Sequence, residues 1–236
     1  MKIVLFGYGK MGKIVETTAV GRGHTIVKKI DGEAPGIRLS EADVAIDFSS
    51  PAAAFKNISL CLEQQVPVIS GTTGWLKDYD RAVGLCNEKN GAFIYASNFS
   101  LGVNLFFQLN TYLAKLMNGF PEYDVDIEEI HHTEKLDAPS GTAITLAEAV
   151  IANSTKTGWK LGEAAEHELP VTAKRIAGVP GTHSINYHGS ADTLTITHTA
   201  HNRSGFALGA VIAAEWIMGK KGVYTMKDVL NSGEIM

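Results

Sequence analysis

The chain has 236 residues, of which 45% are hydrophobic and 19% are charged, and its formal net charge is −4. That length allows one large domain or two modest ones, each with a real hydrophobic core. The mild acidity and the lack of any Lys/Arg run longer than a pair argue against nucleic acid as the main partner, and no apolar run approaches the ~20 residues that a membrane helix needs.

Two sequence features indicate the compartment. Cys61 and Cys86 lie in apolar helical contexts without Cys-x-x-Cys spacing, so we interpret them as reduced core residues. The apolar start at residues 1–6 runs directly into glycines, which predicts a strand and not a signal segment. We therefore predict a cytoplasmic protein without a membrane partner.

A glycine loop follows the first predicted strand, residues 2–6, and precedes a helix predicted at residues 13–20. Gly-Tyr-Gly-Lys-Met-Gly in this context is the G-x-G-x-x-G pattern of a dinucleotide site. Its first glycine permits the tight turn, its second lets the backbone approach a pyrophosphate, and its third lets the helix pack on the strand. An ordinary Gly-rich turn is the alternative. We assign cofactor binding to the whole loop, Gly7, Tyr8, Gly9, Lys10, Met11 and Gly12.

The second predicted strand, residues 25–30, is followed by Asp31. An acid about 20 residues beyond the glycines binds the ribose 2′-hydroxyl in dinucleotide folds. A carboxylate at this place repels a 2′-phosphate, which favours NADH over NADPH. Lys10 and Lys28 are candidates to contact a phosphate, so both cofactors stay possible, and a turn-forming role of Asp31 is the structural alternative.

Strands and helices continue to alternate through the first half of the chain. Residues 44–49, 66–70 and 92–96 predict buried strands, and residues 52–65 and 76–90 predict helices, whereas no helix is predicted between Gly32 and Asp43. This alternation argues for a parallel, doubly wound sheet. Two loops follow strands at the sheet edge where ligands bind. They are Gly71-Thr72-Thr73-Gly74 and Ala96-Ser97-Asn98-Phe99. For each loop, a plain turn without a ligand is the alternative.

The second half of the chain has a different pattern. An apolar helix is predicted at residues 103–117, and a half-buried strand is predicted at residues 123–130, where Val125, Ile127 and Ile130 alternate with acidic residues. Strands without intervening helices then predict an open, mixed or antiparallel sheet in an α+β domain. These strands are residues 171–176, 182–188 and 194–198, and a final apolar helix at residues 207–218 is predicted to return to the first domain.

The predicted fold class is therefore α/β. It consists of a Rossmann-like, doubly wound parallel sheet with an inserted α+β substrate-binding and oligomerisation domain. We assign residues 1–103 and 205–236 to the dinucleotide-binding domain and residues 104–204 to the inserted domain.

The most informative stretch connects the strand at residues 123–130 to an apolar helix. It contains His131, His132 and Lys135, followed by a Pro-Ser-Gly-Thr turn. Histidine exchanges protons near neutral pH, lysine supplies a compact cation, and free N–H groups at a helix start attract anions. These residues predict a pocket for a small carboxylate with proton-transfer groups beside it. Asp137 or Ser140 is the expected helix cap.

Residues 131–143 resemble the signature H-H-x-x-K-x-D-A-P-S-G-T-A of the dihydrodipicolinate reductase family, which reduces a cyclic unsaturated imine dicarboxylate. Every fixed position is met. The tripeptide Asp-Phe-Ser at residues 47–49, the Gly-Thr-Thr-Gly loop and the A-x-N-F-S pattern at residues 96–100 are similar to further family motifs. The resemblance implies NAD(P)H-dependent reduction of dihydrodipicolinate, formed from 4-hydroxy-tetrahydrodipicolinate, to tetrahydrodipicolinate in the lysine pathway. It also implies a homotetramer.

The resemblance also implies roles for single residues. His131 and Lys135 are expected to be catalytic, and either one is a candidate for the proton donor. An Arg at the position of Arg203 suits a carboxylate, with a surface role as the equal alternative. The expected substrate contacts are His132, Ser140, Gly141, Thr142 and Arg203, and the expected nicotinamide contacts are Gly71, Thr72, Thr73, Ala96, Ser97, Asn98 and Phe99.

Metal ligation is the alternative use of the histidines. The chain has no His-x-x-x-His helix and no Cys/His quartet, and His131 and His132 would point to opposite faces of a strand. We therefore predict no metal site, and we interpret His188, His198 and His201 as surface or sheet-face residues. Thr182 stands where the family often has Glu before a histidine, so the role of that acid stays open.

Two other functions compete with this interpretation. A different two-domain reductase, such as an aspartate-type dehydrogenase, shares the glycine loop but lacks the D-A-P-S-G-T turn. A redox-sensing NAD-binding module needs no His-His-Lys group. Assays with the imine dicarboxylate and with the substrate of an aspartate-type dehydrogenase distinguish the first alternative from our interpretation. NADH binding without turnover of the imine would favour the redox-sensing module.

Overall fold

A computed structural model of the chain describes residues 1–32 and 36–230. The chain divides into two compact units, which are Met1–Asn104 with Arg203–Met236 and Leu105–Asn202. The connection between Gly32 and Asp43 contains no helix over its described part, from Gly36 onwards. Residues 33–35, and residues 231–236 of the predicted first domain, lie outside the described residues.

The chain forms eleven strands and seven α-helices within the described ranges. The strands are β1 (Lys2–Phe6), β2 (Thr25–Ile30), β3 (Val44–Asp47), β4 (Val68–Ser70), β5 (Ala92–Tyr95), β6 (Asp124–His131), β7 (Gly158–Leu161), β8 (Glu168–Arg175), β9 (Gly181–His188), β10 (Thr193–Ala200) and β11 (Gly222–Tyr224). The helices are α1 (Lys10–Gly21), α2 (Pro51–Glu63), α3 (Tyr79–Glu88), α4 (Leu101–Met117), α5 (Gly141–Ile151), α6 (Ser204–Ile217) and α7 (Met226–Leu230). None of these helices is long and apolar enough to span a bilayer.

The first unit is built on a six-stranded parallel sheet in the order β11-β5-β4-β3-β1-β2. Helices cover both faces of this sheet, as strand β1 illustrates. Successive side chains of a strand point to opposite sides, and the consecutive apolar residues of β1 are buried on both. Ile3 and Leu5 pack with α1 and α6, whereas Val4 and Phe6 pack with α2 and α3. The predicted Rossmann-like, doubly wound sheet is confirmed, and β11 adds a strand that the sequence did not predict.

The second unit contains a five-stranded mixed sheet in the order β10-β9-β6-β8-β7. Strands β10 and β6 pair antiparallel with β9, whereas β8 pairs parallel with β6 and with β7. Of the predicted alternatives, an open, mixed or antiparallel sheet, the structure has the mixed one. Strand β7 was not predicted, because it is a short edge strand with no buried residue and hence no alternating apolar signal.

One face of this sheet packs against α4 and α5. Along β6 the buried residues are Val125, Ile127, Glu129 and His131, which is the strict period of two. The predicted grouping of Ile130 with Val125 and Ile127 is therefore wrong, since Ile130 is three positions from Ile127 and lies on the opposite face. The corrected register places a carboxylate and an imidazole on the covered face, at the end of the central strand.

Candidate active site

The glycine loop of the first unit has the geometry that a dinucleotide requires. Gly7 has a φ of +83°, and a Cβ on it would lie 2.1 Å from the carbonyl oxygen of Phe48. A Cβ on Gly12 would lie 2.2 Å from the Gly7 carbonyl oxygen, whereas a Cβ on Gly9 would meet nothing within 4 Å. Gly7 and Gly12 are thus required by the fold itself, and Gly9 leaves open space beside the backbone. Gly9 also precedes α1 without a side-chain cap, so the first N–H groups of α1 fit a pyrophosphate.

Asp31 lies beside this loop, at the end of β2. The Tyr8 N–H donates to Oδ1 of Asp31 at 3.3 Å, and the Asp31 side chain is otherwise exposed. The neighbouring Lys29 ammonium is neutralised by Glu16 at 2.6 Å and lies 3.0 Å from the Tyr8 hydroxyl. Asp31 therefore presents an exposed carboxylate beside the glycine loop, while the Lys28 ammonium of the same strand donates to the Arg38 carbonyl oxygen at 2.8 Å.

A buried carboxylate organises the loops after β3 and β4. Asp47 is fully buried and accepts hydrogen bonds from Ser49 Oγ (2.6 Å), Thr72 Oγ1 (2.7 Å), Ser70 Oγ (2.8 Å) and Asn57 Nδ2 (3.0 Å). Burial raises the pKa of Asp47, and these four donors oppose that shift. Asp47 thereby fixes the start of the Gly-Thr-Thr-Gly loop, a role that sequence reasoning missed.

The predicted nicotinamide contacts follow two adjacent parallel strands, β4 and β5, and so lie at one edge of the sheet. Thr73 and Ser97 are exposed, while Thr72 and Phe99 are buried. Phe99 packs edge-on against Phe48, with ring centroids 6.0 Å apart. The remaining contacts, Gly71, Ala96 and Asn98, are half-buried, and the Asn98 side chain accepts from the Ser100 N–H at 2.9 Å. The turn-forming role of Asn98 is thus present whether or not its backbone meets a cofactor.

In the second unit, the predicted proton-transfer groups lie on the connection from β6 to α5. His131 is buried and His132 is half-buried, in keeping with opposite sides of the strand end. The Lys135 ammonium lies 2.7 and 2.8 Å from the two carboxylate oxygens of Asp137. Gly141, the first residue of α5, is exposed, which leaves its amide open to an anion.

Ser140 is the N-cap of α5. Its Oγ accepts from the Ala143 N–H at 3.2 Å and lies 3.1 Å from Nε2 of His183. Only 3% of Ser140 is exposed. The capping role expected for Asp137 or Ser140 thus falls to Ser140, whose hydroxyl is already used within the protein; direct contact with substrate stays a prediction. The predicted carboxylate contact Arg203 is exposed at the start of α6, in the first unit.

Beneath this connection lies a buried charged cluster that sequence reasoning missed. Glu129 is fully buried; its oxygens accept from the Ser140 N–H at 3.0 and 3.1 Å and from the Arg175 guanidinium at 3.3 and 3.4 Å. His131 Nδ1 and His183 Nε2 lie 3.5 and 3.7 Å from Glu129 Oε2. The available signal was the alternation of β6, which placed Glu129 on the buried face.

The cluster bears on the metal prediction. One ligand atom each from Glu129, His131 and His183 lies within 4.8 Å of the others, a grouping that could hold a metal ion. Sequence spacing could not reveal it, because the two histidines come from paired strands. The Glu129 carboxylate is already bound by a guanidinium and a backbone N–H, so we interpret the cluster as a charge network.

The other histidines of the second unit lie elsewhere. His188 is exposed and 2.5 Å from Asp126 Oδ2, and the half-buried His198 ring is 6.0 Å from that of Phe106. Thr182, at the position of the family's Glu, is 3.3 Å from Thr199 across the β9–β10 pair.

Burial and neighbouring charges shift both central groups of the cluster. Burial lowers the pKa of His131 to about 4, against the opposing pull of Glu129. Burial alone would raise the pKa of Glu129, but hydrogen bonds involving His183 and Ser140 lower it to about 2. His131 is therefore neutral and Glu129 is ionised at neutral pH.

These shifts predict acid sensitivity. Between about pH 6.5 and pH 4 the unfolded chain binds a proton at His131 that the folded chain does not, so the free energy of unfolding should fall as the pH falls. The Glu129 contribution should be lost lower still, between about pH 4.5 and pH 2. Urea unfolding of the His131→Asn variant should show a weaker loss between about pH 7 and pH 4.5 than the parent. An equal loss in both proteins would contradict the assignment.

Comparison with known proteins gives the family. A family model described as the C-terminus of dihydrodipicolinate reductase matches residues 102–230, and a model described as its N-terminus matches residues 35–99. The chain belongs to the dihydrodipicolinate reductase family. A member from Christiangramia forsetii, 4-hydroxy-tetrahydrodipicolinate reductase, is 56% identical over 98% of both chains. One from Archaeoglobus fulgidus is 36% identical over 98% of this chain and 100% of its own length.

A solved member of the family has the same fold. The dipicolinate-bound dihydrodipicolinate reductase from Paenisporosarcina sp. TG-14 is 25% identical, covers 95% of this chain and 97% of its own, and superposes with a TM-score of 0.76. The protein is thus an NAD(P)H-dependent oxidoreductase of the lysine and diaminopimelate pathway that uses NADH or NADPH. The glycine loop and the uncapped start of α1 fit that cofactor.

Proposed function

We propose that this dihydrodipicolinate reductase takes NADH in preference to NADPH, and that Lys135 and His131 handle the proton added to the substrate. When bound, the cofactor supplies the hydride. One observation carries the residue assignment: an ammonium, two imidazoles and an open helix start lie on a single connection, from His131 to Thr142, in the second unit. Positive groups aimed at charge developing on the ring stabilise that charge.

The substrate carboxylates are assigned to this connection. The Paenisporosarcina reductase is described as bound to dipicolinate, a planar diacid, and a similar small dicarboxylate suits the groups present here. We assign one carboxylate to the Lys135 ammonium and the free amides of Gly141 and Thr142, with His132 beside them. Asp137 holds Lys135 at 2.7 Å before substrate arrives, so the substrate carboxylate has to replace Asp137 as the partner of the ammonium.

Lys135 is the better candidate for the proton donor. His131 enters the reaction as a neutral imidazole because burial lowers its pKa to about 4, so it has a lone pair and no spare proton to give at neutral pH. Lys135 supplies an ammonium on the same connection, six residues before Gly141, the first residue of α5. A substrate with two negative charges favours protonation of His131 once bound, which lets His131 share or restore the proton.

The cofactor preference follows from Asp31, and a titration tests it. We expect kcat/KM for NADH to exceed that for NADPH by about tenfold, because a 2′-phosphate beside the exposed carboxylate is repelled by about 1.4 kcal/mol or more. Asp31→Ser should shift the ratio toward NADPH. Asp80→Asn, which removes an exposed carboxylate on α3, is the matched control and should leave the ratio unchanged. A kcat/KM at least tenfold higher with NADPH would overturn the preference.

Two further features belong to the proposal. We assign the sheet face opposite α4 and α5 to subunit contacts in a homotetramer; a mass of one 25.3 kDa chain in light scattering would contradict this assignment.

We place the reaction in the cytoplasm, where Cys61 and Cys86, both free and buried, remain reduced; a periplasmic location in cell fractionation would contradict this assignment.

A further inference from the structure

The register of the second sheet gathers four charged or titratable side chains. Glu129 of β6 is paired with His183 of β9, and His131 of β6 is paired with Arg175 of β8. Residues opposite each other in a sheet present their side chains on the same face. Three of the four are nearly or fully buried, and the fourth, Arg175, is half-buried. The central strand β6 thus has polar residues, Glu129 and His131, at two buried positions. In a sheet with only a structural role, apolar residues would be expected there.

Arg175 links this cluster to the connection that carries Lys135. Its guanidinium donates to the carbonyl oxygens of Asp137 at 2.6 Å and Lys135 at 3.3 Å, and it contacts Glu129 at 3.3 Å. Glu129 in turn accepts the N–H of Ser140, at the far end of the same connection. The backbone is therefore held at Lys135 and Asp137 by one guanidinium, and at Ser140 by one carboxylate.

Glu129 also faces the imidazole of His131. Nδ1 of His131 is buried and has no hydrogen-bond partner over the described residues, while Glu129 Oε2 is 3.5 Å away. Nε2 of His131 lies against β9, where a Cβ added to Gly181 would come within 3.1 Å of it. A buried carboxylate 3.5 Å from Nδ1 attracts a proton to that nitrogen and repels a lone pair there, so it favours the tautomer with the proton on Nδ1 and the lone pair on Nε2.

We infer that Glu129 and Arg175 are positioning residues of this reductase. Glu129 holds the proton of His131 on Nδ1, and together with Arg175 it fixes the backbone that presents Lys135. The inference rests on the proposed roles of His131 and Lys135. Neither Glu129 nor Arg175 needs to touch the substrate, because each acts through a neighbour that does.

Glu129→Gln tests the inference directly. Glutamine keeps the size of the side chain and an oxygen for the Ser140 N–H, but it removes the charge. Nitrogen-15 NMR of the histidine side chains in the substrate-free protein, prepared with a chelator, should find His131 protonated on Nδ1 in the parent and a changed tautomer in Glu129→Gln. The kcat should fall by about 10- to 100-fold, and the KM for NADH should stay unchanged. Glu148→Gln on the exposed side of α5 is the control and should match the parent.

Two results would overturn the inference. One is a parent protein with His131 protonated on Nε2, and the other is a Glu129→Gln variant with parental kcat. Stoichiometric zinc binding that depends on Glu129, His131 and His183 would likewise replace the positioning role with a metal site.

If Glu129→Gln does not fold, Arg175→Lys takes its place. This variant keeps the positive charge but loses the planar guanidinium, so kcat should fall while the His131 tautomer is retained. Parental kcat in Arg175→Lys would then overturn the inference.

The NMR measurement separates this inference from the proposed function. It reads the state of His131 without turnover, so a tautomer that depends on Glu129 stands even if Lys135 is not the proton donor. Conversely, loss of activity in Lys135→Ala with an unchanged His131 tautomer in Glu129→Gln supports the proposed function and contradicts the inference.

Discussion

Lys135→Ala is expected to lower kcat by about 100-fold or more, because a positioned proton donor contributes about 10²- to 10⁴-fold to a rate. The variant also loses the ammonium assigned to a substrate carboxylate, so the KM for the dicarboxylate should rise. NADH binding, measured by fluorescence titration, should stay at the parental Kd, since Lys135 belongs to the second unit and the glycine loop to the first. Stopped-flow oxidation of NADH at saturating substrate measures the chemical step.

Lys160→Ala is the matched control for this experiment. Lys160 is an exposed lysine on β7 of the same unit, 4.0 Å from Glu168, and its loss should leave kcat unchanged. His131→Ala should give a loss comparable to that of Lys135→Ala if the two side chains act together on one proton. Near-parental turnover in both the Lys135 and the His131 variants would refute the assignment.

Gly9→Ala is expected to raise the Kd for NADH by about tenfold or more, which is about 1.4 kcal/mol. The added methyl group meets nothing within 4 Å in the protein, so it projects into the space assigned to the pyrophosphate. The fold should survive, with a cost of about 1 kcal/mol for the poorer helix cap. Isothermal titration with NADH, together with urea unfolding, separates the two quantities.

Two other glycines calibrate that result. Gly7→Ala places its Cβ 2.1 Å from the Phe48 carbonyl oxygen at a φ of +83°, so it should abolish folding and not merely weaken binding. Gly84→Ala, at an exposed position within α3 with nothing near its Cβ, should leave the Kd unchanged and stabilise the helix by about 1 kcal/mol. A Gly9→Ala protein that binds NADH as tightly as the Gly84→Ala protein would contradict the assignment of the loop.

The sequence predicted the first unit well because its signals are local. A buried strand, a glycine loop with fixed spacing and an acid after the next strand lie within the first 31 residues, and Gly7 and Gly12 are each required by a separate close contact. Strand β11 was not predicted, because it has only three residues and all of them are half-buried. The helix predicted at residues 76–90 begins instead as a 3₁₀ turn at Leu76–Asp78, before α3.

What the sequence could not predict depends on pairing between distant strands. Glu129 and His183 are 54 positions apart and come together only because β6 pairs antiparallel with β9. Grouping Ile130 with Val125 and Ile127 breaks the strict alternation along β6, and only that alternation places Glu129 on the buried face. The hydrogen-bonding role of Asp47 was missed for a similar reason, because its four donors come from β4, α2 and two loops.

The central claim is that the connection from His131 to Thr142 holds the substrate dicarboxylate, and a crystal structure with NADH and pyridine-2,6-dicarboxylate tests it most directly. We predict a carboxylate oxygen within hydrogen-bond distance of Lys135 Nζ and of the Gly141 or Thr142 amide, with Asp137 displaced from the ammonium. A diacid bound away from this connection, with Lys135 still paired to Asp137, would contradict the account.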